Sequence, residues 1–106
     1  MKIGIIIETK DPEKAWNAFR LAIAAKQKSH AVKVFLMGDG VECEGLTHEK
    51  YNVDEQLNAY LALEGEVLAC GTCLKSRQKE ASDSCPFSTM HDCLEMVLWA
   101  DKVLTF

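Results

Sequence analysis

The chain contains no apolar run approaching the roughly 20 residues that a membrane-spanning helix needs. Its first apolar stretch, Ile3-Gly4-Ile5-Ile6-Ile7, directly follows Met1-Lys2. A secretory signal would need a longer apolar region and a cleavage site, so the expected location is the cytoplasm. A basic block is also missing. Net charge is −4, which argues against a nucleic-acid backbone as partner. Lys26, Lys28 and His30 form a small basic cluster that reads as a solvated helix end. Repeats, low-complexity tracts and linkers are absent from the 106 residues, which fit one domain (1–106) without a second core. Proline occurs only at Pro12 and Pro86.

What is present alternates in type. Ile3 to Ile7 and Ala31 to Met37 are apolar runs, as expected of strands buried on both faces. Between them, Asp11-Pro12-Glu13 supplies an N-cap, a proline at the first helical position and an acid in the first turn. Ala15, Trp16, Phe19, Ala22 and Ile23 then recur at helical spacing. Gly38-Asp39-Gly40 breaks the second strand, and the polar stretch Glu42 to Lys50, with Cys43 and His48, reads as a loop. Asn52 and Glu55 suggest a capping box for a helix with Val53, Leu57, Tyr60 and Leu61 on its apolar stripe, stopped at Gly65. Glu66 to Cys70 reads as a third strand, with a helix from about Thr72 to Glu80. Residues 81–87, small and polar, read as the most mobile segment. Ser88 is expected to cap a helix with Met90, Leu94, Val97 and Leu98 on its core face, and Lys102 to Phe106 to close the chain as a strand. Strand–helix alternation predicts an α/β fold, a three-layer α/β/α sandwich around a parallel sheet of four to five strands.

Cysteine is the residue in excess. Five thiols in a cytoplasmic chain are a poor disulfide framework and point to catalytic, redox or metal use. Cys70 and Cys73 form a C-x-x-C across the turn between the third strand and its helix. The C-terminal end of a strand is where α/β folds place ligands. The helix N-terminus and nearby Lys75 and Arg77 would favour a thiolate there. A thioredoxin-like motif also opens a helix after a strand, but this chain lacks its preceding tryptophan and a facing proline. Zinc is another reading, with Cys85 and Cys93 or His91 completing the ligands, although the second pair is too widely spaced for a strong signature. Gly38-Asp39-Gly40 lacks the glycine spacing and lysine of a phosphate loop. Glu8 and Thr9 end the first strand at the same edge of the sheet.

Three stretches together resemble the DsrE/DsrF/TusD-like family. They are Phe35-Leu36-Met37-Gly38-Asp39-Gly40-Val41, Ala69-Cys70-Gly71-Thr72-Cys73-Leu74-Lys75-Ser76-Arg77 and Trp99-Ala100-Asp101-Lys102-Val103-Leu104-Thr105-Phe106. The resemblance implies a trimer or hexamer that relays sulfur between donor and acceptor proteins, carried as a persulfide on the cysteine matching Cys70. Cys73 belongs to a C-G-T-C variant and would assist or resolve. Gly38, Asp39, Gly71 and Thr72 would line the pocket, with Cys85 as a third thiol able to swing over Cys70. No resident metal or cofactor is implied. The alternatives are a cysteine-based redox-sensing or ligand-binding module without turnover, and a zinc-stabilised structural domain.

Overall fold

The apolar runs become the centre of a sheet. The computed structural model describes residues 1–106. Its strands are Lys2–Ile7 (β1), Ala31–Leu36 (β2), Glu66–Cys70 (β3), Phe87–Ser88 (β4) and Lys102–Thr105 (β5). All neighbours are parallel, in the order β4-β3-β2-β1-β5. The fifth strand is β4, only two residues long and set at the end of the stretch expected to be loop.

Helix starts follow the expected chemistry. Helix α1 (Pro12–Gln27) begins at Asp11, whose carboxylate accepts the Lys14 N–H at 3.0 Å. Helix α2 (Val53–Ala62) begins at Asn52, whose side chain accepts the Glu55 N–H. Such caps contribute about 1 kcal/mol each. Helix ends were less legible. After α2 the left-handed turn falls on Glu64 (φ 62°) rather than on Gly65; Gly65 serves instead to admit the Tyr60 ring, which packs where a side chain would stand. Helix α3 (Gly71–Ser76) has six residues and ends well short of Glu80. Helix α4 (Met90–Trp99) is capped by Thr89, not Ser88. Thr89 and Asp92 close a reciprocal capping box, and Ser88, now in β4, donates to Asp92 at 2.7 Å.

Side chains alternate across the sheet, and parallel partners share a face. Ile5 and Ile7, Val34 and Leu36, and Val67 and Ala69 point to the side covered by α1 and α2. There they meet Phe19, Leu57 and Tyr60, all without exposed surface. The Tyr60 hydroxyl lies 3.2 Å from the Val32 carbonyl and 3.0 Å from that of Glu66. Gly4, Ile6, Lys33, Phe35, Leu68 and Cys70 point to the opposite side, covered by α4. The strand order reverses after β4, so a right-handed return to β5 places α4 on that second face.

The expected core face of α4 is its outer face. Met90, Leu94, Val97 and Leu98 are exposed, Leu98 at 75%, while Cys93 and Met96 turn inward. The helix is apolar on two sides, so helical spacing alone could not choose between them.

Candidate functional site: a thiol pair at the end of β3

Cys70 ends β3 and is the residue before the first turn of α3. Its alternation in the strand turns it toward α4, where it is 4% exposed. Cys73 lies one turn along α3 and is half-buried. The two thiols lie close enough for Cys70 to raise the pKa of Cys73. Cys43, Cys85 and Cys93 are 0%, 4% and 5% exposed, so Cys73 is the one thiol with substantial access to solvent.

The loop after β2 completes the site. Met37 N–H bonds to the Ile7 carbonyl, and a short 3-10 helix follows over Gly38–Glu42. Gly38 takes φ +56°, a conformation that costs a side-chain-bearing residue about 1–2 kcal/mol. This turn aims the Gly38 N–H at the Cys73 sulfur, 3.1 Å away. The adjacent Asp39 accepts from Arg77 at 2.8 Å, and Arg77 also lies 3.6 Å from Glu42. Arg77 donates at 3.2 Å to the Cys73 carbonyl. Lys10 meets Glu42 from the end of β1 at 3.3 Å. Gly71 is buried against the Phe87 ring, which occupies the space a Cβ would need, and Thr72 is exposed beside it.

Electrostatics at Cys73 are mixed. Burial pushes its thiol pKa up most. The Gly38 N–H opposes this, the Cys70 thiol adds to it, and Arg77 also opposes it. The Asp39 carboxyl is held below its ordinary range, chiefly by the Arg77 hydrogen bond. The positive charge expected near the pair is therefore partly spent. Arg77 is matched by Asp39 and Glu42, and Lys75 sits over the Phe87 ring, 5.5 Å from its centroid. A six-residue helix also offers less dipole than the longer one expected.

Gly38, Asp39, Gly71, Thr72, Cys70 and Cys73 thus gather at the ends of β2 and β3. Cys85 does not join them. It is buried in the other layer, where Ser82 donates to Glu44 at 2.8 Å and accepts the Cys85 N–H at 3.1 Å. Burial, with Glu44, Cys43 and Asp54 as further causes, pushes the Cys85 thiol up to about 12. Cys43, expected in a polar loop, is core: its thiol donates to the Thr9 carbonyl, and burial pushes it up to about 12. Cys93 was not singled out as part of the site, yet it faces Cys70 closely enough for an ionised Cys70 to raise its pKa, after burial. The ligands of the zinc reading are therefore split between layers, and no three His, Cys, Asp or Glu side chains are placed to hold a metal ion.

A parallel α/β sandwich with paired thiols closing its third strand defines a class of small cysteine-centred domain. The comparisons assign it: the DsrE/DsrF-like family profile matches residues 1–106, and the chain belongs to that family. It is 33% identical to the protein YchN of Escherichia coli over 103 residues, covering 89% of this chain and 87% of YchN. An uncharacterised protein of Methanocaldococcus jannaschii is 33% identical over the full length of both chains. The YchN crystal structure superposes with a TM-score of 0.84 at 32% identity, over all of both chains. A Bacteroides thetaiotaomicron protein of unknown function shares the fold at a TM-score of 0.76 and 17% identity, covering 99% of this chain and 94% of that one.

Proposed function

We propose that this chain is a cytoplasmic sulfur-trafficking protein that carries sulfane sulfur as a persulfide on Cys70, with Cys73 assisting or resolving. The observation that carries the reading is the closeness of the two thiols at the end of β3, with the Gly38 N–H 3.1 Å from the Cys73 sulfur. Membership of the DsrE/DsrF-like family is consistent with sulfur relay. A buried Cys70 suits a store, because a persulfide there is shielded from bulk reductants. Cys73 can then attack the inner sulfur of a Cys70 persulfide, leaving a Cys70–Cys73 disulfide and expelling hydrosulfide. The partners would be a sulfur-donor and a sulfur-acceptor protein.

Assembly as a trimer or hexamer belongs to the same reading. Its support is the outer face of α4, where Met90, Leu94, Val97 and Leu98 form an apolar patch, together with the edge strand β5, whose four residues all keep exposed surface. Exposed edges and apolar patches are normally covered. No helix is long and apolar enough to cross a membrane.

The test is intact mass after mixing reduced protein with a sulfane-sulfur donor. A gain of one sulfur, kept in Cys93→Ser and lost when Cys70 and Cys73 are both replaced by Ser, is the expected result. The same closeness of the thiols favours one second reading, a redox sensor. In that case no sulfur is gained, and mild oxidation removes two hydrogens reversibly through a Cys70–Cys73 disulfide.

A further inference from the structure

Resting on the sulfur-carrier reading, we propose that sulfur enters at Cys73 and passes inward to Cys70, with the Asp39–Arg77 pair holding the Gly38 N–H on the Cys73 sulfur. Access sets the order. Cys73 is the only one of the five cysteines that is not fully buried, and Cys70 lies behind it at 4% exposure. A donor persulfide reaches Cys73 first.

The steps balance without an oxidant or reductant. The Cys73 thiolate attacks the outer sulfur of the donor persulfide. A bond forms from the Cys73 sulfur to that sulfane sulfur, the donor's S–S bond breaks, and the donor leaves as a thiol after taking up the Cys73 proton. The Cys70 thiol, close to Cys73, then loses its proton to solvent and attacks the same sulfane sulfur. A Cys70–sulfur bond forms, the bond to Cys73 breaks, and Cys73 leaves as a thiolate. That leaving thiolate is the species that gains from a backbone donor already 3.1 Å from its sulfur.

The donor is aimed by its neighbours. Gly38 and Asp39 are adjacent, and the 2.8 Å Arg77–Asp39 contact ties this turn to α3, where Arg77 also donates to the Cys73 carbonyl at 3.2 Å. One guanidinium therefore joins the loop carrying the N–H to the helix carrying the sulfur. The charged groups facing Cys73 are Cys70 from β3 and Arg77 from α3, with Asp39, Glu42 and Lys10 behind Arg77.

Two measurements test this on the full, reduced chain with glutathione persulfide as donor. Sulfur loading is first followed by intact mass over time. Cys70→Ser should still gain one sulfur, which peptide mapping should find retained on Cys73. Cys73→Ser should load at least about tenfold more slowly, as access falls to the buried thiol. Loading of Cys73→Ser at the wild-type rate overturns the entry role, whereas no loading of the wild type sinks the carrier reading itself. The second measurement needs no donor: the pH dependence of Cys73 alkylation in a Cys70→Ser background. Charge alone predicts that Asp39→Asn frees Arg77 and moves the profile to lower pH. The positioning role predicts a move to higher pH, with Arg77→Ala shifting it likewise and Arg77→Lys less. A profile that moves down or stays in place for Asp39→Asn overturns the clamp.

Discussion

The two faces of the sheet are built to different standards. Under α1 and α2, Ile5, Ile7, Leu36, Phe19, Leu57 and Tyr60 have no exposed surface, and even Cys43 is sealed. Across the sheet, Ile6, Lys33 and Leu68 are only partly covered, and the single helix α4 turns a second apolar side to solvent. Cys70, the thiol that ends β3, points to this less complete face. A filled core tolerates no motion and admits no reagent. A face covered by one helix leaves a thiol that can be reached and surface that another chain can cover. The more completely buried core and the proposed sulfur carrier thus lie on opposite sides of one five-stranded sheet.

The contrast is broken most directly by truncation. Phe19→Ala should cost about 3–5 kcal/mol of unfolding free energy in a urea titration. Leu98→Ala, on the outer side of α4, should stay within about 0.5 kcal/mol at concentrations where the chain is monomeric. An equal loss at both positions would mean that the outer side of α4 is packed in the folded monomer. Light scattering sharpens the same point, because Leu94→Glu or Val97→Glu should reduce a mass of three or six chains toward one.

Thiol reactivity distinguishes the faces next. Cys43 and Cys85 are both pushed up to about 12 from an ordinary 9.0. At neutral pH their thiolate populations are about a thousandfold below that of an unperturbed thiol. Timed alkylation with peptide mapping should therefore label Cys73 first, and Cys43 and Cys85 only on unfolding. Early labelling of Cys43 would show that the α1/α2 face opens in the native state.

A smaller effect follows from pH. Cys43 is ionised less readily folded than unfolded, so its contribution is fully present below about pH 9 and is lost as pH rises toward 12. The expected slope is at most about 1.4 kcal/mol per pH unit over that window. Comparing urea titrations of the wild type and Cys43→Ala at pH 8 and pH 10 isolates it; parallel losses in the two proteins would remove Cys43 as the cause. The smallest effect is on α4: Thr89→Ala should cost about 1 kcal/mol by opening the capping box, read from the same titrations at neutral pH.

Several features were legible in the sequence because they depend on neighbours along the chain. The apolar runs of β1 and β2, the caps at Asp11 and Asn52, and the C-x-x-C between a strand and a helix are local patterns. They were enough for an α/β sandwich and for its family, and they put the thiol pair where a strand meets a helix. Other features depend on what lies across space, and only the tertiary structure decided them. Helical spacing could not say which apolar side of α4 faces β1, because both sides satisfy the same period. Composition placed Cys43 in a polar loop, but the Thr9 carbonyl and the α1/α2 layer enclose it. Cys85 follows Cys73 by twelve residues yet lies in the other layer, since its segment packs on Glu44 rather than over Cys70. The contact between Gly38 N–H and Cys73 joins residues 35 positions apart. No local pattern encodes it, because it exists only where parallel pairing sets the ends of β2 and β3 side by side.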